Sequence, residues 1–179
     1  SIDLGSISVP VKLYSAVEEQ GVHFRLLDKK GRKPVEQRMI DPVSETAVES
    51  KAVKKGFQLD DGRFVLLEPE DLKQIEPEAS REVSVSRFLA LGTVPRPYYV
   101  RPYFIGPDGK AEAYFALAAA MEAEGKEAVC HWVMRKKAYH GVLRANDGYL
   151  SLITLRHAGE VVEARELPHP TGRAHNQKE

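Results

Sequence analysis

Val142-Leu143-Arg144-Ala145-Asn146-Asp147-Gly148-Tyr149-Leu150-Ser151-Leu152-Ile153-Thr154-Leu155 is the stretch whose reading decides the fold class. Val142-Leu143-Arg144 and the run from Tyr149 to Leu155 flank Asp147-Gly148, a pair that readily takes the left-handed backbone of a tight turn. The segment therefore reads as a β-hairpin. Two more Asp-Gly pairs, Asp61-Gly62 and Asp108-Gly109, mark further turns. Toward the N-terminus Val9, Val11 and Leu13 alternate with Pro10, Lys12 and Tyr14, the period of a half-buried strand. Pro10 has no N–H to donate, so it suits an edge or a strand start. Val22, Phe24 and Leu26 repeat the alternation, with His23 and Arg25 on the other face. Further strands fit residues 63–67, 82–91, 98–105 and 128–135.

Two helices interrupt the pattern. Pro69-Glu70-Asp71-Leu72-Lys73-Gln74-Ile75 carries Pro and acids in its first turn, and Pro77 follows it. Residues 111–124 are alanine-rich and end at Gly125, a C-terminal glycine cap. Their Tyr114, Leu117, Ala118 and Met121 form one apolar stripe that should dock on a sheet. Mostly short strands with two covering helices imply a closed or nearly closed β-barrel. No internal repeat or low-complexity segment is apparent. From Pro168 onward the sequence turns polar, so residues 1–167 are read as the core and 168–179 as a loose tail.

Composition narrows the class. Hydrophobic residues make up 42% and charged residues 29% of the 179, which places the chain among folded domains rather than disordered ones. No apolar run approaches the roughly 20 residues of a membrane span. Cys130 is the only cysteine, so no intrachain disulfide can form and a reducing, cytoplasmic setting is expected. Ser1-Ile2-Asp3 lacks an initiator Met and a signal-peptide pattern, and the start is read as trimmed. The net charge is zero, but neutrality is a sum of opposed blocks. Residues 29–57 hold eight bases against four acids, residues 58–86 eight acids against three bases, and residues 128–146 four bases and no acid. Such blocks can build a positive face on a neutral molecule.

Nothing in the sequence resembles a catalytic site. A phosphate-cradling glycine loop, Gly-x-Ser-x-Gly and His-Glu-x-x-His are all absent. Cys130-His131 could be taken for a nucleophile and its base, but neighbours on a strand point to opposite faces. Cys130 is expected to be a packed core residue, and the scattered histidines, which lack metal-ligand spacing, surface or packing residues. The basic block is either a solvated loop or a phosphate-contacting excursion. Lys29, Lys30, Arg32 and Lys33 surround Gly31, so a turn there presents several cations at one tip. Cations without interleaved aromatics suit a duplex backbone better than stacked single strands.

Ile7-Ser8-Val9-Pro10-Val11-Lys12-Leu13-Tyr14-Ser15, preceded by Gly5, resembles the opening of the bacterial Ku family. Further landmarks follow in order: Phe24-Arg25-Leu26-Leu27-Asp28-Lys29-Lys30, Lys54-Lys55-Gly56-Phe57, and Phe64-Val65-Leu66-Leu67 with Glu70-Asp71-Leu72. Tyr103-Phe104-Ile105-Gly106-Pro107, Val133-Met134-Arg135 with Leu143-Arg144, Arg144-Ala145-Asn146-Asp147-Gly148, and Thr154-Leu155-Arg156-His157 complete the match over residues 1–165. Order and spacing carry the resemblance. It implies a seven-stranded-type β-barrel forming half of a homodimeric ring that threads onto double-stranded DNA ends without reading sequence. It also implies action in non-homologous end joining with an ATP-dependent DNA ligase, in the cytoplasm (the bacterial nucleoid), with no enzymatic activity, cofactor or membrane contact. Where many relatives carry a Cys-x-x-Cys-like stretch, this chain has Arg38-Met39-Ile40-Asp41-Pro42-Val43-Ser44-Glu45, so no metal is expected. Relatives continue into a helical C-terminal arm and a variable tail beyond the point where this chain stops.

A domain of this length has a radius of gyration near about 16 Å, so one copy can lie along a duplex but not surround it. Two copies, each lending a bridge at residues 29–57, could close around it. Lys12 and Arg25, on strand faces opposite the apolar set, are the first candidate DNA contacts. Lys29, Lys30, Arg32, Lys33, Arg38, Lys54 and Lys55 are the bridge candidates, followed by Arg135 and Lys137. The alternative from another class is a barrel that serves as a protein-interaction module without threading DNA.

Overall fold

A computed structural model describes residues 1–109 and 111–168. The residues expected in the polar tail lie, apart from Pro168, outside the described residues. The chain forms two units, Ser1–Glu18 with Glu78–Glu179, and Glu19–Pro77.

The first unit is built on one eight-stranded sheet. In chain order its strands are β1 (Ile2–Asp3), β2 (Ser8–Val9), β3 (Val11–Ser15), β6 (Val83–Ala90), β7 (Tyr99–Pro107), β8 (Lys126–Met134), β9 (Lys137–Asn146) and β10 (Tyr149–Leu155). The second unit holds β4 (Lys55–Gln58) and β5 (Phe64–Leu67). The spatial order in the large sheet is β2-β1-β6-β8-β9-β10-β7-β3. Its two outermost strands are therefore one continuous segment, residues 8–15. Val9 pairs with Ile2 of β1, and Val11 to Ser15 pair with β7. Pro10 sits at the changeover, where the missing N–H leaves no ladder bond to break. The two edges of the sheet are thus joined through the chain at Pro10, and a curled, barrel-like sheet of the expected Ku type is the fold of this unit.

The deciding hairpin forms as read. Tyr149 faces Asn146, which leaves Asp147 and Gly148 as the two turn residues, with φ of 53° and 77°. Gly141 is required in the same hairpin: a Cβ there would stand 2.5 Å from the Ile153 carbonyl and 2.7 Å from the Trp132 ring. The core gathers Ile2, Val9, Ile105, Cys130, Leu143, Leu150 and Leu152 from six strands, all buried. The longer helix, α2 (Glu112–Ala123), covers one side with Tyr114, Ala118 and Met121 buried, and Gly125 follows at φ 58°. Tyr114 does more than fill space. Its hydroxyl donates to the Ile105 carbonyl at 2.7 Å and accepts the Leu150 N–H at 2.8 Å, which ties the helix to β7 and β10.

The second unit is organised differently. β4 and β5 form a two-stranded antiparallel ribbon, and the short helix α1 (Pro69–Gln74) follows, with Ile75 as its C-terminal cap. The Glu68 N–H donates to the Asp71 carboxylate at 2.9 Å, which settles the start of α1. Residues 22–26 are not a strand, contrary to the alternation of Val22, Phe24 and Leu26. They find no ladder partner, and the only nearby pairing is the isolated bridge from Leu27 to Pro34. Their apolar side chains stay exposed, Phe24 at 88%.

Candidate nucleic-acid interface

Asp28 builds the tip that carries the four clustered cations. Its carboxylate accepts the Gly31 N–H at 2.6 Å, its N–H donates to the Lys33 carbonyl at 2.9 Å, and its carbonyl accepts the Arg32 N–H at 2.8 Å. The left-handed residue is Arg32, at φ 50°, rather than the glycine beside it. Lys29, Lys30, Arg32 and Lys33 are thereby held on one six-residue loop. All four are exposed and none makes an ion pair among the described residues.

A second loop thirteen residues on repeats the frame. Asp41 accepts the Val43 N–H at 2.9 Å through its carboxylate and the Glu45 N–H at 2.8 Å through its carbonyl, and donates to the Thr46 carbonyl at 2.9 Å. Glu45 holds the left-handed position, φ 55°, and Ile40 bridges Ala47 as Leu27 bridges Pro34. The Val43 N–H, then the Ser44 hydroxyl, hold the Asp41 carboxyl below the ordinary carboxylate range. No internal repeat was apparent in the sequence, yet the backbone repeats. The repeated element is an Asp-led turn whose intervening residues are free to differ. One copy carries Lys29, Lys30, Arg32 and Lys33, the other Pro42, Val43, Ser44 and Glu45.

The remaining candidates divide between the two units. Arg25 and Arg38 are exposed, Arg25 on irregular backbone and not on the strand face expected for it. Lys54 donates to Glu68 at 2.6 Å, and Lys55 opens β4 opposite Leu67. In the barrel unit Lys12 lies on β3 and pairs with Asp108 at 2.9 Å; that hydrogen bond and charge raise the Lys12 pKa. Arg135 and Lys136 form the two-residue turn between β8 and β9, at φ 50° and 64°, and Lys137 begins β9 opposite Met134. Left-handed backbone is unfavourable for both residues, so this basic tip is kept where Asn-Gly would be relaxed.

Sequence reasoning missed two features. Glu127 is fully buried, and its carboxylate accepts from Arg144 at 2.6 Å and from the Val94 N–H at 3.3 Å. Arg144 also bonds the Tyr99 hydroxyl and lies over that ring, and Tyr99 donates to the Val94 carbonyl at 3.0 Å. Burial raises the Tyr99 pKa, against the nearby Arg144 charge. This network fastens the Gly92-to-Tyr98 loop over β8 and β9. Glu127 looked like one more surface acid because its burial comes from that loop. The second feature is Arg87. By parity with Val83 and Val85 it should face the core, but a bulge at Ser86 re-aims it. Arg87 now opposes Val129 and is exposed, and Phe88 opposes buried Ala128. An arginine on the apolar phase of a strand was the available signal.

No active-site geometry accompanies these cations. Cys130 is buried and its thiol is pushed up to about 12 by burial, and His131, next in sequence, is exposed on the other face of β8. Among the described residues no group of three or more His, Cys, Asp or Glu side chains is arranged to hold a metal ion, and no helix is long and apolar enough to cross a membrane.

The chain matches a known family model, the Ku70/Ku80 beta-barrel domain, over residues 3–179. The chain belongs to the Ku family. It is 34% identical over 166 residues to non-homologous end joining protein Ku 2 of Geotalea uraniireducens, covering 93% of this chain and 65% of that protein. It is 35% identical over 163 residues to the Ku of Symbiobacterium thermophilum (90% of this chain, 40% of the relative). With the Ku of Bacillus subtilis the identity is 28% over 170 residues (94% and 55%). The chain thus spans less than two thirds of the length of these Ku relatives.

Proposed function

We propose that this Ku-family chain binds double-stranded DNA ends without reading sequence, as a ring-shaped homodimer acting in non-homologous end joining. The observation that carries this reading is the state of the Glu19–Pro77 unit: none of its residues is buried, although Phe57, Phe64, Val65 and Leu66 are apolar. Exposed apolar residues of that kind mark a surface meant to be covered. A second copy offering the same unit covers it and closes a bridge, residues 29–57, around a duplex. The repeated Asp turn supplies a control within the molecule. The frame holds without cations around Asp41, so the four around Asp28 are not needed to make the turn and are available to phosphates. Arg25, Arg38, Lys54 and Lys55 extend that surface, and Lys12, Arg135 and Lys137 add contacts from the barrel unit. The role is non-enzymatic, in the cytoplasm and beside an ATP-dependent ligase; the names of its relatives support the end-joining part of this reading.

The mechanism follows from topology and charge. A closed ring loads only where a duplex terminates, and lysines and arginines that displace counterions make affinity steep in salt and blind to base sequence. With roughly 6–10 phosphates contacted, affinity falls about 10³–10⁵-fold between 50 and 200 mM salt. The deciding experiment is a gel shift of linear duplex against covalently closed circles, with sedimentation of the free protein at micromolar concentration. Strong preference for linear duplex and twice the chain mass are the expected results. Equal binding to circles would favour an interaction module without threading, and a strict monomer with and without DNA would reject the ring. Reversing Lys29, Lys30, Arg32 and Lys33 to Glu should abolish end binding while the circular dichroism melt is unchanged; normal binding would move the contact surface elsewhere.

A further inference from the structure

Every histidine of the barrel unit within the described residues lies in one line across its outer face. His131 on β8 stands directly opposite His140 on β9. The His140 ring meets His157, just beyond β10, edge to face with centroids 5.7 Å apart. All three are exposed. The line continues past β8 onto β6: Arg87 opposes Val129, two residues from His131 and on the same face. Arg87 is there only because the Ser86 bulge turns it out. Cross-strand neighbours stand about 5 Å apart and diagonal ones about 7–8 Å, so the row runs on the order of 20 Å. One duplex strand carries a phosphate about every 3.4 Å of axis, so a row of that length passes several.

We propose that Arg87, His131, His140 and His157 form a second contact line for the sugar-phosphate backbone, one whose strength is set by pH. This rests on the end-binding reading. Arg87 is cationic throughout, and imidazole is the side chain whose charge most readily changes near physiological pH. The other groups around the row favour that outcome or are already engaged. Ser84, opposite His131, is uncharged. Arg156, beside His157, donates to the Pro97 and Tyr99 carbonyls. Glu160 accepts the His157 backbone N–H at 2.7 Å, and Glu127, on the same face of β8, is held by Arg144. From β10 and β7 the face receives Leu155 and Val100, which carry no charge. Arg87 contributes at every pH, and acidification adds up to three further phosphate contacts. A duplex end would then be gripped more tightly under acid stress without any change in fold.

The test is equilibrium binding of a blunt duplex by the full chain at pH 7.5 and 5.5, at fixed ionic strength, followed by a salt titration at each pH. The wild type should tighten at least about tenfold at pH 5.5, and its log–log salt slope should steepen by about 2–3, near 0.9 per added phosphate. His131→Gln/His140→Gln/His157→Gln should lose most of that gain. His23→Gln, in the other unit, should keep it. Arg87→Gln should weaken binding at both pH values and leave their ratio unchanged. Melts at each pH confirm folding, and the pair His131→Gln/His140→Gln replaces the triple variant if it unfolds. A triple variant that still tightens on acidification, or a wild type that binds at pH 7.5 and gains nothing at 5.5, overturns this inference alone. A wild type that binds no duplex at either pH overturns the end-binding reading and this one with it.

Discussion

The barrel unit and the Glu19–Pro77 unit come from one chain but answer to different physics. In the barrel, seven strands converge on a shared core of buried side chains, and even an outward-facing carboxylate, Glu127, is sealed under a loop with its arginine. The other unit has one short ribbon, one short helix and two isolated bridges, and its order rests on local backbone bonds around Asp28 and Asp41. Hydrophobic burial stabilises the first; turn chemistry shapes the second. Local bonds of this kind contribute about 1 kcal/mol each and do not offset the ordering entropy of a whole segment. A unit so built keeps its order through local turns and leaves its apolar side chains uncovered.

The largest expected effect lies in the barrel. Glu127→Ala would leave Arg144 without its carboxylate and release Val94, at a cost of about 3–5 kcal/mol in a urea melt. A loss below about 1 kcal/mol would mean that the loop does not depend on the pair. Next, Leu152→Ala should cost about 2–5 kcal/mol through the cavity it opens. The matching truncation in the other unit, Leu66→Ala, should stay within about 0.5 kcal/mol of wild type for the monomer and weaken self-association in sedimentation. Equal costs at both positions would erase the contrast. Smaller again, Arg135→Asn with Lys136→Gly should raise stability by about 1–2 kcal/mol by relieving two left-handed residues. An unchanged melt would show that this turn stores no strain.

The smallest effect concerns Cys130, whose thiol stands at about 12 against an ordinary 9.0. The folded state holds this proton more tightly than the unfolded chain does. Its contribution is therefore complete below about pH 9 and is lost as pH rises from there toward 12. At pH 8 a disulfide reagent should titrate no thiol in the native protein and one in denaturant. A fast native reaction would place Cys130 outside the core.

Much of the barrel was readable from residues alone because its signals are local. Asp147-Gly148 carried its own turn geometry, the alternation of Val9, Val11 and Leu13 named a strand, and Gly125 closed α2. The same reasoning failed at Val22, Phe24 and Leu26, where an equally good alternation found no partner strand. Alternation reports only which side chains would share a face; a strand also needs a second backbone to bond. The basic tip was legible as a cluster of charges around Gly31. Its construction on Asp28, and its twin at Asp41, were not, because hydrogen bonds from a side chain to its own loop leave few constraints on the residues between.

The sequence by itself determined the hairpins, the two helices, the charge blocks and, through the order of its motifs, the family. Only the tertiary structure decided that residues 8–15 serve both edges of one sheet, that Glu127 is buried, and that Arg87 faces outward in line with three histidines. The reason is range. Turns and periodicity are settled within a few residues, whereas closure, burial and the facing of a bulged strand depend on segments far apart in the chain, which no local pattern encodes.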